Sequence, residues 1–285
     1  MPARVPPHTP SEPSARRPQS FFRHRDNSSN RPLLVMEDVY KYFRRDIPTL
    51  RAVSLTVERG EFVFVTGPSG AGKSTLLQLV YRQHTVDGGR ILFSGRDISR
   101  LTDRSVPFLR RNLGIVFQDF KIVPNWTVFE NVAVSLEILG TPPRTVRSRV
   151  AETLERVGLQ GRGGERVEHL SGGEQQRVAI GRAIVTEPAL LLADEPTGNL
   201  DPALSIDILT LFEEINEAGT TVIFATHDHS LLSSSPHRLV VIDDGRLIEA
   251  SQGLRAWAAR TQGQNQNNSQ QSQPGTERPL HRATA

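Results

Sequence analysis

Residues Leu170–Gln176 read LSGGEQQ, and they stand between Gly67–Thr75, GPSGAGKST, and Leu190–Pro196, LLLADEP. The upstream run has the spacing of a phosphate-binding loop, in which glycines precede a lysine and a hydroxyl at fixed positions. The downstream run is an apolar stretch that ends in two adjacent carboxylates, Asp194 and Glu195. A phosphate loop alone says only that a nucleotide binds. The serine and paired glycines between the two runs add a third motif in a fixed order.

The surroundings of these runs read as alternating strands and helices. Phe62–Val65, Leu190–Ala193 and Val222–Ala225 are short, apolar and β-rich, the pattern of strands buried on both faces. Val53–Val57 alternates apolar and polar residues, as a half-exposed strand does. Helices are expected over Ser74–Tyr81, around Val146, Val150, Leu154 and Val157, and over Gln175–Val185. Pro202 suits a helix first turn and Gly219 a helix end, with Leu204, Ile208, Leu211 and Ile215 facing inward. Such alternation specifies an α/β fold with a mostly parallel sheet wrapped by helices.

The phosphate loop follows an expected buried strand and opens an expected helix, which is the context this motif requires. Gly67, Pro68, Ser69, Gly70, Ala71 and Gly72 would turn the backbone so that its N–H groups encircle phosphates, with the helix N-terminus adding partial positive charge. Lys73 would reach the β and γ phosphates, Ser74 would bind Mg²⁺, and Thr75 closes the motif. Asp194 would hold Mg²⁺ through water, and Glu195 would polarise the water that attacks the γ phosphate. A lone Asp-Glu pair reads as a solvated turn, but here a buried strand delivers it to the ligand face of a doubly wound sheet. His227, ending Val222–His227, and Gln118, after Ile115–Phe117, read in isolation as structural or solvated residues. Their place in the order of motifs makes them candidates.

Composition sets the outer bounds. A chain of 285 residues with 37% apolar content can bury a proper core. Residues 1–31 carry six arginines against Glu12 and Asp26, and residues 252–285 carry four against Glu277, so the pI of 9.7 belongs to the ends. Both end segments, 1–31 rich in Pro, Ser and Arg and 254–285 rich in Gln, Asn and Ser, are expected to be disordered extensions flanking a domain over 32–253. Solvated tails are the expectation, with weak contact to anionic lipid as the alternative. The absence of cysteine excludes disulfides and thiolate metal sites. No stretch approaches the ~18 apolar residues of a membrane span, and no secretory signal is apparent, so the chain is expected to stay where it is made.

With these residues placed, 33 to about 250 resembles the nucleotide-binding subunit of ATP-binding cassette (ABC) systems. The resemblance implies a P-loop NTPase of ABC type, with a RecA-like core, an antiparallel β subdomain and an α-helical subdomain. It implies ATP and Mg²⁺ as ligands, Gln118 as a metal- and water-sensing residue, and His227 as the histidine that contacts the γ phosphate. Ser171, Gly172, Gly173 and Glu174 would belong to the signature that meets the γ phosphate held by the other subunit, and Asp201 would lie at the dimer seam. Phe43 occupies the position of the adenine-stacking aromatic, with Tyr40 and Tyr42 close enough to take that role. One chain has one phosphate loop and one signature, which face opposite sides of ATP. Two sites therefore need two chains related by a two-fold axis.

Within the family, Asp97–Thr102, Arg104–Arg111 and Leu192–Asp201 are most similar to the cell-division branch, the FtsE type. That likeness implies an FtsX-like transmembrane subunit, docked near Phe120–Val128, and a peripheral location at the cytoplasmic face of the cell membrane. ATP turnover would then control peptidoglycan hydrolysis. The alternatives are the ATPase of a lipoprotein-release or macrolide-type exporter, and a cassette protein acting on nucleic acid. No specific nucleic acid is expected.

Overall fold

The computed structural model describes residues 31–44, 46–233 and 235–249. Apart from Arg31, the two expected extensions lie outside the described residues. The chain runs β1 (Leu34–Arg44), β2 (Ile47–Val57), β3 (Phe62–Thr66), α1 (Lys73–Val80), β4 (Gly88–Phe93), β5 (Arg96–Asp97), α2 (Val106–Arg110) and β6 (Leu113–Val116). It continues through α3 (Val128–Ile138), α4 (Pro143–Arg156), α5 (Gly172–Ile184), β7 (Leu190–Asp194), α6 (Pro202–Glu217), β8 (Thr221–Ala225), α7 (His229–Ser233), β9 (Arg238–Asp243) and β10 (Arg246–Glu249).

Two sheets result. An antiparallel one has the order β2-β1-β4-β5, and a six-stranded one has the order β10-β9-β3-β8-β7-β6. In the larger sheet β9, β3, β8, β7 and β6 are parallel, and β10 returns antiparallel along β9. Strands β3 and β8 are buried along their whole length, as their unbroken apolar sequences require.

Alternate residues of the parallel strands feed two separate cores. Val63, Val65, Leu192 and Ile223 pack towards α1 and the antiparallel sheet, with Leu76, Leu77 and Val80. Phe62, Phe64, Leu191 and Phe224 pack towards α5 and α6, with Val178, Ile208 and Phe212. There Phe224 sits edge-on to Phe64 and Phe212, with ring centroids 5.4 and 5.0 Å away, an arrangement suited to the aromatic quadrupole.

Helix α6 begins where the sequence places it. Asp201 accepts hydrogen bonds from the Ala203 and Leu204 amides at 3.1 Å each, Pro202 fills the first turn, and Gly219 follows the end at φ 101°. The inward face is broader than expected, because Ser205, Leu209 and Phe212 are buried as well. Leu204 is only half-buried, since it turns from the sheet towards the start of α5 beside Gly173. Helices α2 and α3 and the strands added to the antiparallel sheet were not singled out from periodicity. Helix α3 starts on a complete capping box between Thr127 and Glu130 and packs against α5.

Candidate nucleotide site

The carboxyl ends of β3, β7 and β8 are adjacent in the sheet, so the segments following them converge. The phosphate loop leaves β3 at Gly67, whose φ of 145° and contact with the Ile242 carbonyl leave no room for a Cβ. Gly72 caps α1 at φ 112° and touches the Thr49 carbonyl and Leu50 of β2. Glycine tolerates both conformations without the clash that a side chain brings. Gly67→Ala is therefore expected to cost ~2–3 kcal/mol of stability and to abolish nucleotide binding, as read by thermal melting and nucleotide titration. Unchanged binding would mean that the loop tolerates rearrangement.

The loop opens on a cleft of about 620 Å³ that is also lined by Gln118, Glu195, His227 and His229. At its floor the Ser74 hydroxyl donates to Asp194 Oδ1 at 2.9 Å. Burial pushes the Asp194 carboxyl above its ordinary range, the hydrogen bond from Ser74 opposes this, and the neighbouring Glu195 reinforces it. The ammonium of Lys73 lies 3.3 Å from Glu195 Oε1 and donates to the Gly67 carbonyl at 3.0 Å and the Pro68 carbonyl at 3.3 Å. The other Glu195 oxygen meets His227 Nδ1 at 2.7 Å and accepts the His227 amide at 3.3 Å. Glu195 is 12% exposed and has φ 50°, a left-handed conformation that a residue with a side chain adopts at a cost of ~1–2 kcal/mol. That strain aims its carboxylate back over the phosphate loop, and its amide is held by the Ala225 carbonyl at 2.9 Å.

Gln118 follows β6, and its segment is pinned by two residues that sequence reasoning did not single out. Asn199 Nδ2 donates to the Gln118 carbonyl at 3.0 Å. The Arg182 guanidinium donates to the carbonyls of Phe120 at 2.7 Å and Lys121 at 2.6 Å, two consecutive residues with positive φ. Burial pushes the Arg182 guanidinium down from its ordinary value. Its only sequence signal was a basic residue in the last turn of α5.

Ser171, Gly172, Gly173, Glu174 and Asp201 are not among the residues lining the phosphate-loop cleft. Ser171 is the N-cap of α5, in a capping box with Glu174. The Ser171 amide, its hydroxyl and Arg162 together hold the Glu174 carboxyl below its ordinary range. This stabilisation is present at neutral pH, where both folded and unfolded forms are ionised, and is lost as pH falls through the lowered folded value. Phe43 is the last residue but one of β1, is 54% exposed and meets His84 edge-on at 5.0 Å. Tyr40 and Tyr42 stack on one another at 6.5 Å instead. Cross-strand pairing sets Tyr42 opposite Pro48 and Lys41 opposite Leu50, with an irregular register between them, and Phe43 is not among the residues lining the phosphate-loop cleft. No cluster of three or more metal-ligating His, Cys, Asp or Glu occurs among the described residues, and none of their helices is long and apolar enough to cross a membrane.

Phosphate loop and carboxylates gathered at the carboxyl ends of neighbouring strands, with a separate serine-capped signature helix, are the layout of an ATP-binding cassette. Residues 50–198 match the ABC transporter family, and the chain belongs to it as an ATP-hydrolysing member. More particularly, it is 44% identical to the cell division ATP-binding protein FtsE of Bacillus subtilis over 216 residues, 76% of this chain and 95% of that one. It is 48% identical to FtsE of Escherichia coli K12 over 75% of this chain and 97% of the relative. FtsE of Mycobacterium tuberculosis is 45% identical over 77% and 96% of the two chains. Among solved structures, CbiO1 of Clostridium perfringens, part of the ABC transporter complex cbiONQ, superposes with a TM-score of 0.72 at 31% identity, covering 76% of this chain and 87% of that one. A dimeric bacterial ABC transporter cassette gives 0.68 at 33% identity, over 76% and 98%.

Proposed function

We propose that this ATPase is the nucleotide-binding subunit of an FtsEX-like membrane complex, converting ATP-driven closure of a homodimer into control of peptidoglycan hydrolysis during cell division. The observation that carries this reading is identity of 44–48% with FtsE proteins over 95–97% of their length. The ATPase would sit at the cytoplasmic face of the cell membrane, held there by its transmembrane partner.

The polar groups of the cleft suit the successive parts of ATP. The amides of Gly67–Thr75 and the ammonium of Lys73 would take the phosphates of ATP, drawing Lys73 from Glu195. Ser74 Oγ and Asp194 Oδ1 form a pair of hard oxygen donors that suits Mg²⁺, with Gln118 at the same cleft. Magnesium, when bound, neutralises charge developing on the phosphate oxygens. Glu195, relieved of the lysine, would accept the proton of the attacking water, with His227 orienting its other oxygen. Phe43 would offer an aromatic face to adenine. Ser171 and Gly173 of a second copy would close over the γ phosphate, and Asp201 would line the seam between the copies.

The partner would dock on the segment after Gln118. Val128 is fully buried there, so contact with a partner falls instead to the exposed Val123 and Trp126, each 37% exposed. A double Val123→Ser, Trp126→Ala substitution is expected to weaken partner binding at least tenfold and leave ATP-driven dimerisation intact. Full binding by this variant would move the docking site elsewhere. The functional reading itself is tested by capturing the Glu195→Gln protein with ATP and Mg²⁺ from gently solubilised membranes. An FtsX-like four-span partner supports it, whereas an exporter permease redirects the protein to transport.

A further inference from the structure

The signature serine is tied to a residue well outside its motif. Glu174 Oε2 accepts the Ser171 amide and hydroxyl, each at 2.8 Å. Its other oxygen is held by Arg162, eight residues upstream of Leu170. The same guanidinium grips Glu165 with two nitrogens, at 2.8 and 2.6 Å. The Arg162 loop is not free to drift. The Val128 amide donates to the Glu165 carbonyl and the Phe129 amide to the Gly163 carbonyl, both at 2.9 Å. Arg166 donates to the Asn125 carbonyl at 3.0 Å and Val167 to the Trp126 carbonyl at 3.2 Å. The start of α3, the Arg162 loop and the start of α5 thus form one hydrogen-bonded unit.

This arrangement matters for the closure proposed above, on which the following inference rests. An anionic phosphate that approaches Ser171 also approaches Glu174. The single hydroxyl hydrogen of Ser171, donated to Glu174 here, must swing to the phosphate when contact is made. A carboxylate with a guanidinium on its far oxygen is both a weaker repeller and a weaker competitor for that hydrogen.

We propose that Arg162 is a positioning residue for ATP-driven closure: it offsets the charge of Glu174 and holds that carboxylate so that the Ser171 hydroxyl is released to the γ phosphate of the opposite copy. Arg162 does not touch the nucleotide. It acts through Glu174, and it anchors the signature to the segment at the start of α3.

The test is a double-mutant cycle in the full-length Glu195→Gln background, where dimers persist with ATP. The ATP concentration for half-maximal dimerisation is followed by light scattering at low and high salt. Arg162→Met is expected to raise it by about tenfold. With Glu174→Gln also present, the same substitution should raise it by less than about threefold, because no carboxylate remains to be offset. The tenfold defect should shrink at high salt, where charges are screened. Arg162→Lys, which keeps the charge and loses the fork, should retain most of the dimerisation. Thermal melting alongside separates a folding defect, which would be indifferent to Glu174 and to salt. An equal loss in both backgrounds, or no loss from Arg162→Met, overturns the proposal. Failure of the Glu195→Gln parent to dimerise with ATP would instead overturn the two-chain reading, and this inference with it.

Discussion

Glu195→Gln is expected to lower ATP turnover by about 10²–10⁴-fold, the usual contribution of a general base, while ATP binding survives. The amide is nearly the same shape as the carboxylate, so the left-handed backbone at φ 50° and the hydrogen bond to His227 can persist. What disappears is the anionic acceptor for the proton of the attacking water. The Lys73 ammonium, 3.3 Å from Glu195, also loses a charge partner, so ATP meets less competition for it. Binding should therefore be equal or tighter. Dimers should accumulate with ATP and Mg²⁺ and disperse when nucleotide is removed, as size-exclusion chromatography with light scattering would show. Unchanged hydrolysis would remove Glu195 from the chemistry. Lost hydrolysis with lost binding would assign it a structural role through Lys73.

Mixing two inactive variants is expected to restore activity. Lys73→Ala removes the charge that takes the phosphates, and Ser171→Arg fills the signature that meets them from the other chain. Either homodimer then has both of its sites damaged. In a heterodimer the two defects fall in the same composite site, and the other site is wild type. Equal mixing at random gives about half heterodimers, each with one working site, so about a quarter of wild-type turnover should return if the sites fire independently. Ser171 also caps α5, and losing that cap costs ~1 kcal/mol, so both variants should be checked by melting before they are mixed. No recovery between folded variants would mean that phosphate loop and signature serve one chain alone, against their separation in this structure, or that the two sites fire only together. Hydrolysis by isolated Lys73→Ala would remove the lysine from phosphate binding.

Much of the site could be read along the chain because its parts are local. A phosphate loop is a backbone shape imposed by glycines at fixed spacing, and Gly67 and Gly72 occupy positive φ where the motif places them. Strands β3, β7 and β8 are short apolar runs because both faces are covered, and that burial is written into every residue rather than every second one. The caps at Asp201 and Ser171 are likewise contacts between near neighbours. Helix α3 escaped notice despite a capping box and four buried apolar residues, because its pattern lies beside the irregular segment that follows Gln118. Leu204 looked like a core residue of α6, and only the approach of α5 turns it aside.

By itself the sequence determined that this protein is an α/β nucleotide hydrolase with a phosphate loop, a carboxylate pair and a signature, since each depends on residue types at short, fixed separations. Tertiary structure alone decided which of these groups meet. Lys73 reaches Glu195 across 122 positions because β3 and β7 flank β8, and Arg182 reaches Phe120 across 62 because α5 packs beside the segment after β6. The loop before α5 likewise brings Arg162 to Glu174. Pairings of this kind have no period along the chain, because folding rather than spacing brings the partners together.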